Sequence, residues 1–250
     1  NSSDPQVKAA YDVITRSVGS VENLTLEVVD AEDGKDRYEI TASDGRLLIK
    51  GSSPTALCYA FNKYLRSACG SMITWGGKNL NLPQQWPDYI ESETSPYLFR
   101  YFLNVCTFGY TAPYWNWDRW SQEIDWMALH GINAPLNLVG LDVVTRNFLR
   151  ELGVSEDDIN KYIAGPGFIA WFAMNNLEGW GGTINAADVK MNGNPDWWYT
   201  RQEQLCRDMT SAHNFAIILM PIMGNIGNIM YVIVAFAGGA LLISGVYNLS

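Results

Sequence analysis

Residues 100–153 read RYFLNVCTFGYTAPYWNWDRWSQEIDWMALHGINAPLNLVGLDVVTRNFLRELG, and this stretch decides the fold. Its first nine residues, RYFLNVCTF (100–108), predict a buried strand. WDRWSQEIDWMALHG (117–131) then sets Trp117, Trp120, Ile124, Met127 and Ala128 on one helical face and stops at Gly131. INAPLNLVG (132–140) alternates Ile132, Ala134, Leu136 and Leu138 like a second strand, although Pro135 has no N–H for a ladder. LDVVTRNFLRELG (141–153) is helical again, and Ser155-x-x-Asp158 ahead of Ile159, Tyr162 and Ile163 has the form of a capping box. Strand and helix in alternation predict an α/β architecture with parallel strands and outer helices, a (β/α) barrel or a doubly wound sheet.

Upstream the pattern differs. Pro5 after Asp4 suits a helix start, and Val7, Ala10, Tyr11 and Ile14 give residues 5–18 an apolar face. LTLEVV (24–29), RYEITAS (37–43) and RLLIKG (46–51) read as strands, and the EDGKD and SDG segments between them favour hairpin-like connections. Pro54 opens PTALCYAFNKYLRSACG (54–70), with Leu57, Ala60, Phe61, Tyr64 and Leu65 in one stripe and Gly70 at the expected C-terminal cap. Residues 1–92 therefore predict a small N-terminal α+β domain. The Pro-rich NLNLPQQWPDYIESETSPY (79–97) predicts a linker, and a second domain is expected over residues 97–210.

From 165 to 198 the text becomes GPGFIAWFAMNNLEGWGGTINAADVKMNGNPDWW, dense in Gly, Asn and Trp and without regular period, as functional loops often are. A last polar helix follows from Pro195, carrying Trp198, Leu205 and Met209 on one side. Every Lys, Arg, Asp and Glu lies at or before Asp208. The uncharged run at 215–250 exceeds the ~20 apolar residues that a bilayer-spanning helix needs, so it predicts a hydrophobic transmembrane-like segment and membrane contact.

Composition excludes several chemistries. With 17 Lys+Arg against 26 Asp+Glu and a net charge of -9, the chain lacks the basic clusters that bind phosphates, so no nucleic acid partner is expected. The 4 Cys lack C-x-x-C spacing, and only His130 and His213 are imidazoles. Neither a structural zinc site nor a Ser-His-Asp triad has material to build on, and no cofactor or metal is expected. His130 ends a helix, where capping is its expected role. No G-x-G-x-x-G or Walker sequence occurs.

The aromatic wealth points to carbohydrate. Trp rings offer rigid apolar faces to the CH side of a sugar, and Asn104, Asn175 and Asn176 could orient its hydroxyls. Trp117, Trp120 and Trp126 on the helix are expected to be packing residues, whereas Trp171 and Trp180 in the irregular segment are the better ligand candidates. Glycoside hydrolysis needs two opposed carboxyl groups. Asp118, Glu123 and Asp125 read as a solvated helix face, and the roles of Asp142 and Glu178 stay open.

The segments YLFRYFLNVCTFGY, WDRWSQEIDWMALHGIN, GPGFIAWFAMNNLEGWGG and NPDWWYTRQEQL resemble the start of the catalytic barrel of the alpha-N-acetylglucosaminidase family, glycoside hydrolase family 89. GSSPTALCYAFNKYLRSACGSMITW is similar to that family's N-terminal α+β domain. The resemblance implies the beginning of a (β/α)8 TIM barrel, truncated in this chain. It also implies a retaining enzyme that removes terminal alpha-linked N-acetylglucosamine from glycans, located outside the cytoplasm, in a secreted, periplasmic or lysosome-like setting. In an alpha linkage the 2-acetamido group lies on the leaving-group face, so an enzyme carboxylate must be the nucleophile. The family's two catalytic glutamates lie on later barrel strands, so no residue here takes either role and the chain alone is expected to be inactive. What carries over is the sugar pocket: Asn104 and Cys106 of the NVC motif, and Trp171, Met174 and Asn175 of AWFAMNN. Where the family often has Gly-Gln-Glu, this chain has Gly140-Leu141-Asp142. MPIMGNIGNIMYVIVAFAGGALLIS is similar instead to a transmembrane helix of an ABC-type exporter, which implies a chimeric chain joined near residues 211–215. The alternative reading is a membrane or transport protein with a sugar-binding soluble part.

Overall fold

The computed structural model describes residues 4–163 and 196–212. Within them the chain is a mixed α/β protein that forms two compact units, residues 4–138 and residues 139–163 with 196–212.

The first unit begins with α1 (Pro5–Val18), where the Asp4 side chain accepts from Gln6 N at 2.8 Å and Pro5 fills a position that has no N–H to satisfy. The strands β1 (Leu24–Val28), β2 (Arg37–Ser43) and β3 (Arg46–Gly51) follow, then α2 (Pro54–Ala68), capped by the Ser53 hydroxyl on Ala56 N at 3.0 Å. Gly70 ends α2 with φ +63, a left-handed conformation that costs glycine little. A short hairpin, β4 (Met72–Thr74) and β5 (Gly77–Asn79), turns through Trp75 and Gly76.

Two sequence expectations are corrected here. The expected linker contains a strand, β6 (Tyr89–Thr94), paired antiparallel with β2 from Arg37↔Thr94 to Ala42↔Tyr89. The EDGKD segment does not join a hairpin, because the sheet order is β1-β3-β2-β6 and β1 runs parallel to β3, leaving Glu32 and Lys35 in an isolated bridge outside the sheet. SDG does make a hairpin: Asp44 and Gly45 at φ +51 and +72 give the doubly left-handed turn that matches strand twist. The sheet's inner side chains, among them Leu26, Tyr38, Ile40, Leu47 and Ile49, pack with Ile14 of α1 and Leu57, Phe61, Tyr64 and Leu65 of α2. Trp86 closes this core, its ring edge-on to Phe61 and Tyr64 and its Nε1 donating to Glu22 O at 2.8 Å.

On β6 the alternation is inverted. Ile90 is 82 % exposed, whereas Glu91 faces inward, accepting from Tyr38 Oη at 2.7 Å and from Tyr89 Oη, with Lys63 Nζ at 3.3 Å. Burial acts to raise the Glu91 pKa, but the bonds from Tyr38, Tyr89 and Lys63 outweigh it and hold the carboxyl below its usual range. A folded pKa below the unfolded one gives stability that is present above the unfolded value and lost as pH falls through the folded one. Glu91→Gln should therefore show its full destabilisation near neutral pH, and the gap to the parent should close in denaturant melts taken below about pH 4.

Beyond β6 the chain forms β7 (Tyr101–Phe102), a 3-10 helix (Val105–Gly109), a second one (Ala112–Tyr114), α3 (Trp117–Leu129) and β8 (Ala134–Pro135). β7 and β8 pair in parallel, Tyr101↔Ala134 and Phe102↔Pro135, so β7-α3-β8 is one parallel βαβ unit. Both strands are much shorter than the 100–108 and 132–140 readings. β7 stops because Leu103 takes φ +69 and Asn104 caps the next turn. Pro135 causes no loss at this edge, since the bonds to β7 come from Ala134 N to Arg100 O and from Leu136 N to Phe102 O.

Helix α3 packs on α1 and α2 through Trp126, Ala128 and Leu129, and Asn62 Nδ2 donates to Leu129 O at 2.9 Å. The expected solvated face is also corrected: Asp118 is exposed, but Asp125 is only 8 % and Glu123 only 2 % exposed. Arg16 grips Asp125 with two bonds of 2.8 Å, which raises the Arg16 pKa further above its usual range despite burial. Arg100 ties the approach to β7 down, donating to Asp36 and to Gly131 O.

The second unit consists of α4 (Leu141–Glu151), α5 (Glu156–Tyr162) and α6 (Asp196–Ala212). Ser155 caps α5 through Asp158 N at 3.2 Å, as its spacing predicts. Gly140 starts α4 at φ +72, and a Cβ there would sit 2.6 Å from Cys206 Sγ on α6. Trp198 is fully buried on α6, beside Tyr199, whose ring lies 4.0 Å from the Arg146 guanidinium. No helix among the described residues is long and apolar enough to cross a membrane. The hydrophobic segment read at 215–250 lies outside the described residues.

Candidate functional site

The candidate site starts where β7 ends. Leu103 turns the backbone with φ +69, and Asn104 returns it to an extended conformation at φ -133, ψ 170. A branched side chain in the left-handed region costs of order 1 kcal/mol or more, and such residues collect at functional turns. Asn104 is exposed, and its Oδ1 accepts from Thr107 N at 3.1 Å. Cys106 is half-buried on the same turn, so the structure brings these two predicted residues together at the C-terminal end of a parallel strand. Trp171, Met174 and Asn175, with Asn176, Glu178 and Trp180, lie outside the described residues.

Packing fixes the floor of this turn. Phe108 is buried and stacks on Trp120 with ring centroids 5.9 Å apart, and Trp115 meets Trp120 edge-on at 4.9 Å. Arg119 lies 4.0 Å from the Trp115 ring and 5.5 Å from that of Trp75, and it donates to Glu123 at 2.8 Å. Trp75 Nε1 donates to both Glu123 oxygens, at 3.1 and 2.9 Å. Of the aromatic residues read as packing groups on α3, Trp120 is buried, and Trp126 is half-buried with its ring stacked 4.2 Å from that of His130. His130 is the C-terminal cap of α3, with Nδ1 2.8 Å from Trp126 O.

The buried carboxylates are engaged elsewhere. Glu123 serves Trp75 and Arg119, Asp125 serves Arg16, and Asp142, 3 % exposed in α4 of the second unit, accepts from Trp198 Nε1 at 2.6 Å. Asp142 and burial both act on the nearby Cys206, burial the more strongly, and raise its thiol pKa. Burial pushes the Cys58 thiol up to about 12, which leaves it an inert core group. Among the described residues no cluster of three or more His, Cys, Asp or Glu side chains could hold a metal ion. Sequence reading missed Leu103 and Thr107. The Asn-x-x-Thr spacing of 104–107 is a capping signal that could have revealed the second.

The comparisons with known proteins bear on this geometry. The model described as the alpha-N-acetylglucosaminidase (NAGLU) N-terminal domain matches residues 8–88, and the one described as that family's TIM-barrel domain matches residues 100–212. Neither match reaches the hydrophobic run at 215–250. Human alpha-N-acetylglucosaminidase is 35 % identical over 175 residues, which cover 69 % of this chain and 22 % of the human protein. A solved family 89 glycoside hydrolase of Clostridium perfringens, in complex with its substrate GlcNAc-alpha-1,4-galactose, is similar with 31 % identity and a TM-score of 0.65, covering 80 % of this chain and 22 % of that one. The Clostridium perfringens enzyme in complex with PUGNAc gives 31 % identity and a TM-score of 0.63, over 75 % of this chain and 22 % of that one. The chain thus spans about a fifth of the length of the relatives it matches. With one N-terminal-domain match and one barrel-domain match lying in order along it, the chain belongs over residues 8–212 to the alpha-N-acetylglucosaminidase family.

Proposed function

We propose that this chain is part of a glycoside hydrolase that removes terminal alpha-linked N-acetylglucosamine from glycans with retention of configuration. Its own contribution is one wall of the sugar-holding cleft. The observation that carries this reading is the likeness, at 31 % identity, to a hydrolase solved with GlcNAc-alpha-1,4-galactose. The geometry supports it: Asn104 and Cys106 sit at the C-terminal end of a parallel strand, the end at which barrel enzymes hold their substrates. Trp171, Met174 and Asn175 belong to the same proposed wall. In this reading residues 1–92 are the accessory region, residues 97–210 begin a (β/α)8 barrel, and 215–250 is a membrane-contacting segment, which fractionation with or away from membranes tests.

Retaining hydrolysis requires an acid and a nucleophile with carboxyl groups about 5 Å apart. The buried carboxylates Glu123, Asp125 and Asp142 are each committed to indole or guanidinium partners, so none of them supplies that pair. The 250-residue chain is therefore expected to bind N-acetylglucosamine in ligand-observed NMR, and to release no phenol from an aryl alpha-N-acetylglucosaminide. Absence of sugar binding would remove the cleft reading. Hydrolysis by the purified chain would show that its own carboxylates suffice.

A further inference from the structure

The turn after β7 dictates which way the Asn104 amide faces. A backbone N–H can only donate, so the Asn104 atom 3.1 Å from Thr107 N is the carbonyl oxygen, Oδ1. The Thr107 hydroxyl lies 3.2 Å from the same Oδ1 and 3.5 Å from Asn104 N. Its oxygen accepts from the Asn104 backbone, and its proton goes to Oδ1. A carbonyl oxygen has two lone-pair sites, and both are now used. What the exposed amide still offers is Nδ2, with two N–H donors.

We infer that Thr107 is a positioning residue for the site: by saturating Oδ1 it makes Asn104 a donor-only group, which recognises an acceptor oxygen on the sugar, a hydroxyl or the acetamido carbonyl. The inference rests on the sugar-holding role proposed above for Asn104. Leu103 serves the same end, since its left-handed conformation swings Asn104 out of line with β7 and onto the turn that Thr107 locks. Cys106, one residue before Thr107, is carried by the same rigid turn.

The test uses the full chain, labelled with 15N in its asparagine side chains and titrated with N-acetylglucosamine. The Nδ2 signals that disappear in Asn104→Asp identify Asn104, and in the parent they shift as sugar is added. Asn104→Asp keeps the cap, because aspartate accepts from Thr107 N as well as asparagine does, but it replaces the two donors with acceptors. Its affinity should fall by roughly tenfold or more. Thr107→Val removes only the hydroxyl and should weaken binding roughly three- to tenfold, while Thr107→Ser should restore it to within about twofold. Equal binding by Asn104→Asp and the parent overturns the inference, as does a Thr107→Val variant that folds and binds like the parent. If the parent binds no sugar, the cleft reading falls and takes this inference with it. If the parent binds and the variants match it, only the inference falls.

Discussion

A polypeptide ending at Ser92 is expected to show no cooperative thermal transition, whereas one ending at Leu138 melts as a unit. The first of these cuts follows the composition of the chain. It passes through the middle of β6, leaving Arg37 and Tyr38 of β2 without their partners Thr94 and Glu93. It also removes α3, and with it the covering of the core by Leu129 and Trp126. A fully buried leucine contributes about 1.5–3 kcal/mol. Asn62, buried to 1 % exposure, would lose its bond to Leu129 O, worth about 0.5–1.5 kcal/mol. Arg16 would lose both bonds to Asp125. Against a total stability of roughly 5–15 kcal/mol for a domain, these losses together remove most of the margin. Circular dichroism melts of the two polypeptides decide it, and a sharp transition in the shorter one would show that α1, α2 and the sheet suffice.

The second large effect is expected at Gly51. Its residue ends β3, opposite Val28 on one side and Tyr38 on the other, under the first turn of α2. A Cβ at Gly51 would stand 2.8 Å from the backbone nitrogen of Leu57 and 2.9 Å from its Cδ2. A side chain can rotate away, but this nitrogen is held by Ser53 O at 3.0 Å, inside a turn that the Ser53 hydroxyl caps. Helix α2 must move off the sheet, and its Leu57, Phe61, Tyr64 and Leu65 move with it. Gly51→Ala should lower the free energy of unfolding by about 3 kcal/mol in chemical denaturation, with an unchanged m-value. Gly70→Ala is the contrast: open space surrounds the site, and only the φ of +63 opposes the substitution, at about 1 kcal/mol.

Local signals carried far in this sequence. α1, α2 and α5 start at Asp4, Ser53 and Ser155, because a polar cap and an apolar stripe are properties of neighbouring residues. β6 was not legible for the opposite reason. Its inward position holds Glu91, whose partner Tyr38 Oη comes from another strand, so the pattern looks polar on the side that is covered. The burial of Asp125 was equally hidden, since its partner Arg16 lies 109 residues earlier. The strand reading at 100–108 extended too far, because YFLNV has the composition of a strand and only the Asn104–Thr107 spacing announces the turn. Of the candidate site, Asn104 was proposed from its amide chemistry as well as from resemblance, and Cys106 from resemblance alone. The locking role of Thr107 needed hydroxyl and amide positions that no linear text contains.

Among the described residues β6 is an outermost strand of its sheet, with no further strand on one side, and Ile90 adds an apolar side chain beside that border. Such a border invites a second molecule to add itself as the next strand. Two molecules meeting border to border at β6 would bring the carboxylates of Glu91 and Glu93 against their own copies, in a chain that already carries a net charge of -9. The acids that satisfy Tyr38 inside the molecule thereby work against fibre-like stacking between molecules.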